Sequence, residues 1–548
     1  GTHAYDCGWI SDRAMNEGEC KMWGNPIGEM MYETLRYLAG KGSPTTAFTY
    51  TTNTDSGVDL PNPDWGIGRG STTYQTYDVF PDCARSFMLV ISDVNPSYDS
   101  NQVPGSYFNS FTGDLANLNV STLADTIGTN ESISGNYFIG KGESDYDFTC
   151  TSKSVSHVAR IRGLCPEEPT KQGSFYSSAV GYYGKTLFQD DTGKPDVTTM
   201  AIALSSPVPD INVKVGTKNV RIVPAGKSVS GNYDGNVRTS CYDKCSGTTS
   251  DANGLHLAGC LSDAYCPTNQ IVDFYVESVT YDASNVMTSA TFRINFEDVE
   301  QGADHDMDAI VRYIIEPQGS TGIKVSLDSS VYAAGGIDQV LGFIISGTTE
   351  DGVYYVVKDN DVSGSDWDTP SLVANLPKTW SKTFTVTGNP AGVLQDPLWY
   401  AAKWGGFADT NNNNLPDQTA EWDKDNDGVP DNYFYVANPL KLYEQMEKAF
   451  IEILSRGGSA GAVATVTQQV QGQDMLVRGA FTSYENDPRT FVWKGHLESY
   501  WPYEGCGAYT TQTDCQKYSG CTWDNSTSTC SGWIYSFQKP AYQDKFCY

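Results

Sequence analysis

The densest run of ligand-type side chains is Asp423-Lys-Asp425-Asn-Asp427-Gly428-Val429-Pro-Asp431. Calcium takes roughly six to eight hard oxygen ligands at short range, and a tight loop supplies them from its first, third and fifth positions. Gly428, at the sixth, permits a left-handed turn. The Val429 carbonyl would serve as the seventh ligand position and Asp431 as the ninth. The same spacing recurs upstream in Asp409-Thr-Asn411-Asn-Asn413-Asn414-Leu415-Pro-Asp417, with the Leu415 carbonyl at the seventh position. Asn oxygens replace two carboxylates there, which predicts weaker binding, and Asn414 tolerates the positive φ that Gly428 takes in the other loop. Two loops in tandem, both closing on Pro-Asp, predict two bound Ca2+ ions. The competing reading is a solvated acidic linker.

The twelfth position of the second loop is Phe434 rather than Glu. The pattern is therefore no full EF-hand and is similar to the shorter loops of dockerins and thrombospondin repeats. Another acidic run, Glu297 to Asp308, alternates Asp304, Asp306 and Asp308 ahead of an apolar strand. Alternation sends these three to one side. Two readings stand for them, a further calcium site or a charged strand edge, and His305 among them reads as solvated. Catalytic signatures are missing: there is no G-x-S-x-G, H-E-x-x-H, Walker loop, or G-x-G-x-x-G after a strand. Gly66-Ile-Gly68-Arg-Gly70 reads as a turn in a polar loop. The chain is read as no enzyme. The facing carboxylates of a glycosidase leave no sequence signature, so a secreted calcium-stabilised hydrolase stays as a rival.

These side chains need elements to hold them. Residues 25–40 have Pro26 in the first turn, Ile27, Met30, Met31, Leu35 and Leu38 at helical spacing, and Gly40 as a stop. Phe87 to Ile91 is an apolar strand running into Ser92-Asp93, and Val197 to Leu204 is a second buried strand. In open α/β sheets ligands sit at such carboxyl ends. Residues 1–245 are therefore expected to form an α/β domain with long polar insertions. Spaced strands without helices over 246–395 predict a β-sandwich or barrel-like domain. Residues 396–460 carry the tandem loops and a helix with Leu442, Tyr443, Met446, Phe450, Ile453 and Leu454 along one face. Residues 461–548 begin a further β unit with a Cys-rich insertion.

Lys+Arg 36 against Asp+Glu 66 gives a formal charge of −30, which repels phosphates and anionic lipid and favours cations, so no nucleic-acid partner is expected. Thirty-four tyrosines and an aromatic share of 12% argue against a disordered acidic chain. The fourteen cysteines, with no C-x-x-C, read as disulfides formed outside the cytoplasm, with zinc as the rejected alternative. Candidate close pairs are Cys7 and Cys20, Cys150 and Cys165, and Cys241/Cys245 with Cys260/Cys266. Cys506, Cys515, Cys521 and Cys530 form a local knob whose pairing stays open. No signal peptide, lipidation motif or membrane-spanning run is seen. Gly1-Thr2-His3 does not read as a translation start, so the chain is expected to be a portion of something longer.

Taken together, NPIGEMMYETLRYLAG followed by FMLVISDVNPSYDSNQVPG resembles the von Willebrand factor A-like region of PilY-type proteins. QGADHDMDAIVRYII is similar to the stretch that precedes their carboxyl-terminal half. DPLWYAAKWGGF, the two acidic loops and DNYFYVANPLKLYEQMEKAFIEIL give the most specific match, and VRGAF with VWKGHLESY resembles the start of their β-propeller. Against the family's metal-ion-dependent adhesion site, Asp93 matches the later Asp, Asn25 stands where Thr is expected, and no D-x-S-x-S precedes residue 25. The resemblance implies a secreted, calcium-binding adhesin or assembly factor at type IV pilus tips, located at the cell surface. Its implied partners are minor pilins or the tip complex and a surface or host ligand. The alternative is a self-associating structural subunit of an extracellular filament or surface layer.

Overall fold

The computed structural model describes residues 25–49, 65, 85–142, 150–166, 172–204, 209–229, 248–251, 254–257, 270–297, 309–333, 338–360, 376–457, 476–487, 490–500, 510–516 and 521–532. The chain divides near residue 450 into two units, each described by itself.

The first unit opens with helix α1 (Ile27–Leu38), which buries Ile27, Met31, Tyr32 and Leu35. Met30 is 61% exposed, so the apolar face is rotated from the expected one. Tyr32 takes its place because its ring is buried while its hydroxyl reaches Asp114. Strand β1 (Ser86–Asp93) pairs in parallel with β4 (Val197–Leu204). Between them lie α2 (Val120–Asn130), the hairpin β2 (Gly135–Phe138) and β3 (Ser152–Val155), α3 (Tyr176–Thr186) and α4 (Phe188–Thr192). β4 is the central strand, and its near-continuous apolar run suits burial on both faces.

After β4 the chain leaves this layer to build a β-sandwich. One sheet has the order β15 (Thr379–Thr385), β12 (Gly322–Ala333), β11 (Ala309–Gln318), β10 (Met287–Glu297), β9 (Gln270–Tyr281). The other runs β5 (Ile211–Val215), β6 (Lys218–Val229), β13 (Asp338–Ser346), β14 (Gly352–Lys358), β8 (Gly254–Leu257), β7 (Thr248–Asp251). β11 alternates buried and half-buried residues, the period of a strand with one face on a core. β13 is buried on both faces. Leu341, Phe343 and Ile345 enter the inter-sheet core, whereas Val340 and Ile344 join Phe138, Cys150 and Ala391 on the other side. A disulfide joins Cys150 to Cys165 there.

Two expected boundaries shift. β5 and β6, grouped by sequence with the α/β domain, pair with each other, and β6 pairs with β13 of the sandwich. Residues 396–436, the first part of the 396–460 segment of loops and helix expected to stand apart, return to the α/β layer. Helix α5 (Pro397–Gly406) buries Leu398, Tyr400, Trp404 and then Phe407 in the same core as α1 and α3. Strand β16 (Tyr433–Val436) then adds to β4 as a third parallel strand. The physical reason is the aromatic density of DPLWYAAKWGGF, too apolar to stay in solvent.

Helix α7 (Leu442–Gly457) follows, with Tyr443 79% exposed instead of facing a core. In the second unit β17 (Leu476–Asp487) and β18 (Thr490–Tyr500) form an antiparallel hairpin. A small knob of α8 (Gln512–Cys515), β19 (Cys521–Asp524) and β20 (Thr529–Gly532) is closed by a Cys515–Cys530 disulfide. No described cysteine is free; the other expected pairs lie wholly or partly outside the described residues. No described helix is long and apolar enough to cross a membrane.

Phe343 is fully buried and packs against Tyr354, Trp380 and Phe384. Phe343→Ala is expected to lower unfolding free energy by about 3–5 kcal/mol, read from urea denaturation. A change under about 1 kcal/mol would mean the two sheets do not share this core.

Candidate metal centre

The second acidic loop begins where a short helix, α6 (Thr419–Trp422), ends. Gln418 and Glu421 form a capping box on α6, and buried Glu421 also accepts hydrogen bonds from the Thr410 amide and hydroxyl. Trp422 packs against Trp399, with the Lys403 ammonium 3.9 Å from its ring centre. The site is thus anchored on the α5 core.

Asp423 is 2% exposed. Its two carboxylate oxygens accept the amides of Asp427 (3.0 Å) and Gly428 (2.9 Å), Asp427 Oδ1 accepts Val429 N–H (2.8 Å), and Asp431 Oδ1 accepts Lys424 N–H (3.1 Å). Asn426 and Gly428 take φ of 58° and 88°, which turns the chain around a common point. Oxygens of Asp423, Asp425 and Asp431 all lie within 4.8 Å of one another. Ligand oxygens at about 2.3–2.6 Å from one Ca2+ stand at most about 5 Å apart, so this spacing fits that ion. Asp431 Oδ2 is buried and receives no hydrogen bond; its nearest cation is the Lys424 ammonium at 3.4 Å. The exposed Asp425 carboxyl is pushed up from its usual value, first by local desolvation and then by the charges of Asp427 and Asp423. The donor set is all oxygen and fits a hard divalent cation. Asp427 is outside the converging trio, because its carboxylate closes the turn at Val429.

The first loop repeats this skeleton. Asp409 accepts the amides of Asn413 (3.1 Å) and Asn414 (2.9 Å), and Asn413 Oδ1 accepts Leu415 N–H (2.8 Å). Asn412 and Asn414 take φ of 59° and 61°, so Asn414 occupies the position of Gly428. The centre differs. Asn411 and Asn413 donate their side-chain amides to the two oxygens of Asp417 at 3.0 and 2.8 Å. Where the second loop gathers carboxylates, the first is closed by amide donors. A half-turn of either amide would present oxygen instead. Asp304, Asp306 and Asp308 lie outside the described residues.

At the carboxyl end of β1, Asn25 and Asp93 do meet. The Asn25 amide donates to Ser92 Oγ (2.8 Å) and Asp93 Oδ1 (3.0 Å). The same Asp93 oxygen also accepts the Asn95 amide (2.8 Å).

Sequence reading missed the supports. Glu131 accepts from Lys403 (2.8 Å) and Trp404 Nε1 (2.6 Å), a buried link from α2 to α5 that no local spacing signals. It also missed two carboxylates at helix N-termini. Asp396 caps α5 through Trp399 N–H (2.9 Å) and accepts the Tyr433 hydroxyl (2.8 Å); burial is the main cause that pushes its pKa up to about 6. Asp99 is fully buried, accepts Ser174 N–H (2.9 Å) just ahead of α3, and burial pushes it up to about 7. Helix N-termini favour the anion, but here the loss of water outweighs them.

A raised carboxyl pKa has a definite sign. The unfolded chain ionises near 3.8 while folded Asp99 holds its proton to about 7, so its contribution favours folding at low pH and is lost as pH rises through that window. Asp99→Asn is therefore expected to flatten the decline in unfolding free energy between pH 4 and pH 7. Denaturation series that stay parallel for both proteins would refute the assignment.

Two family models match the chain: one described as PilY1 homolog, second domain, over residues 1–184, and one described as PilY1 homolog, beta-sandwich, over 252–390. The chain is similar to the type IV pilus biogenesis factor PilY1 homolog of Xylella fastidiosa (strain Temecula1 / ATCC 700964). The two are 36% identical over 552 residues, covering 91% of this chain and 34% of that protein, so the chain spans about a third of its curated relative. No solved structure matches. With a PilY1 second domain followed by a PilY1 β-sandwich, and the relative aligned across nearly the whole sequence, the chain belongs to the PilY1 family.

Proposed function

We propose that this chain is the calcium-stabilised part of a secreted, type IV pilus-associated adhesin and assembly factor, its α/β layer being von Willebrand factor A-like. The reading of a pilus role is supported by family membership and by the relative's description as a pilus biogenesis factor. Minor pilins or the tip complex and a surface ligand are the proposed partners.

One observation carries the calcium reading: the Asp423, Asp425 and Asp431 oxygens converge, and the buried Asp431 Oδ2 accepts no hydrogen bond. Ca2+ would be held by these three, with Asp427 and the Val429 carbonyl as further oxygens of the same loop. The amide-closed first loop, with Asp409, Asn411, Asn413, the Leu415 carbonyl and Asp417, would take a second ion more weakly. Asp304, Asp306 and Asp308 remain a third proposed site.

The ion's role follows from what the loop feeds. Buried Asn432 follows Asp431, donates to the Gly406 carbonyl (2.6 Å) and accepts Ala201 N–H (2.9 Å). Tyr433 then bonds Asp396, the cap of α5. A cation drawing Asp431 towards Asp423 would fix the start of β16 and, with it, the third strand of the sheet.

Calcium at a hundredfold excess over its Kd is expected to raise unfolding free energy by about 2.7 kcal/mol and to slow amide exchange in residues 197–204 and 433–436. Asp425→Asn, at an exposed position, should abolish both effects while the fold persists. Unchanged melting and exchange with calcium or chelator would remove the calcium reading. The pilus role is tested in the full-length protein: loop variants should reduce surface piliation and attachment, and wild-type piliation would count against it.

A further inference from the structure

We propose that Glu421 couples the two acidic loops, so that a calcium ion held in one raises the affinity of the other. The coupling rests on the calcium reading, because it needs an ion in each loop.

Glu421 is 1% exposed and sits in α6, the short helix between the loops. It grips the first loop at both ends. One carboxylate oxygen accepts the Thr410 N–H (2.9 Å) and hydroxyl (2.7 Å), directly after Asp409. The other accepts the Gln418 N–H (3.3 Å), directly after Asp417. The Glu421 carbonyl accepts the N–H of Ala408 (2.8 Å), directly before Asp409. The next residue does the same for the second loop. Trp422 directly precedes Asp423, and its carbonyl accepts the Asp431 N–H (2.8 Å), so the first and last acids of that loop meet at one residue. The Asp423 N–H in turn donates to the Thr419 carbonyl (2.8 Å) at the start of α6. The Trp422 ring packs on the α/β core and on Trp399, which holds this connector from outside the loops as well.

Two adjacent residues thus carry the ends of both loops. An ion that fixes Asp423 and Asp431 would fix residues 421 and 422 with them, and ordering already done for one loop need not be done again for the other. Binding that rigidifies a shared element gives positive cooperativity without a change of shape. Charge opposes this, since one divalent ion repels another. Yet residues 409–431 carry seven carboxylates against one lysine, so the segment stays acidic after the first ion binds. The second loop, whose carboxylates already converge, fills first. The first loop gains most from the coupling, because its Asn411 and Asn413 amides must turn away from Asp417 before they offer oxygen.

The test titrates the 548-residue chain with calcium by calorimetry, beside Asp425→Asn, which disables the second loop, and Asp417→Asn, which disables the first. The product of the two stepwise association constants in the wild-type chain should exceed the product of the two single-loop constants by about fivefold or more. In a Glu421→Ala background the excess should vanish, and in Glu421→Gln, which keeps an acceptor oxygen for Thr410, part of it should remain. A merely structural residue would lower melting and leave the excess unchanged. Thr410→Val, at an exposed position, removes one hydrogen bond to Glu421 and should reduce the excess even if Glu421→Ala does not fold. Calcium bound by both loops with no excess, or an excess that persists in the Glu421 and Thr410 variants, would overturn the coupling and leave the calcium reading standing. No calcium binding at all would remove that reading and the coupling with it.

Discussion

The ladder between β4 and β16 is the interaction on which the first unit depends. It joins residues 201–204 to 433–436, the two ends of a long excursion through the sandwich. Closing a loop of that length as free chain would cost entropy that grows only slowly with length. The described strands of the excursion fold on a core of their own. What remains is to hold the last short strand in register. Asn432 does so by bonding Gly406 O and accepting from Ala201. An added Cβ at Gly406 would stand 2.0 Å from Asn432 Nδ2, so only glycine admits this approach.

Around that ladder the helices approach closely. A Cβ at Gly405 would lie 2.6 Å from Thr199 Cβ and 3.1 Å from Gly181 Cα, so α3, α5 and β4 meet almost backbone to backbone. Their N-termini point the same way, towards the carboxyl end of β1. Buried acids collect there: Asp99 near α3, Asp396 at α5, and Glu29 in the first turn of α1, where it accepts the amides of Asn101 and Gln102. The positive helix ends recover part of the cost of burying these groups.

The tandem loops share one turn geometry but differ in what fills its centre. Their backbone hydrogen bonds and left-handed residues correspond one to one. The side chains at the second, third and fifth positions differ in charge: Thr410, Asn411 and Asn413 against Lys424, Asp425 and Asp427. Asn411 and Asn413 supply donors that neutralise Asp417 within the loop. Asp425 has no such donor to offer, and Asp431 keeps an oxygen without a hydrogen bond. The first loop meets Asp417 with its own side-chain amides, whereas the second sets Lys424 beside an Asp431 oxygen that accepts no hydrogen bond.

Local patterning was enough to read much of this protein. Helix α1, the strands β1, β4, β9 to β11 and β13 to β15, both acidic loops and the positive φ at Asn414 follow from apolar period, Gly and Asn placement and ligand spacing, all properties of a few consecutive residues. Met30 shows the limit, since helical spacing marks a face but not which edge of it meets the core. Tertiary structure alone decided that β5 and β6 leave the α/β layer, that residues 396–436 return to it, and that Glu131 meets Lys403 and Trp404. Those contacts join residues more than a hundred positions apart, and a sequence carries no local mark of a partner that the folded chain brings close.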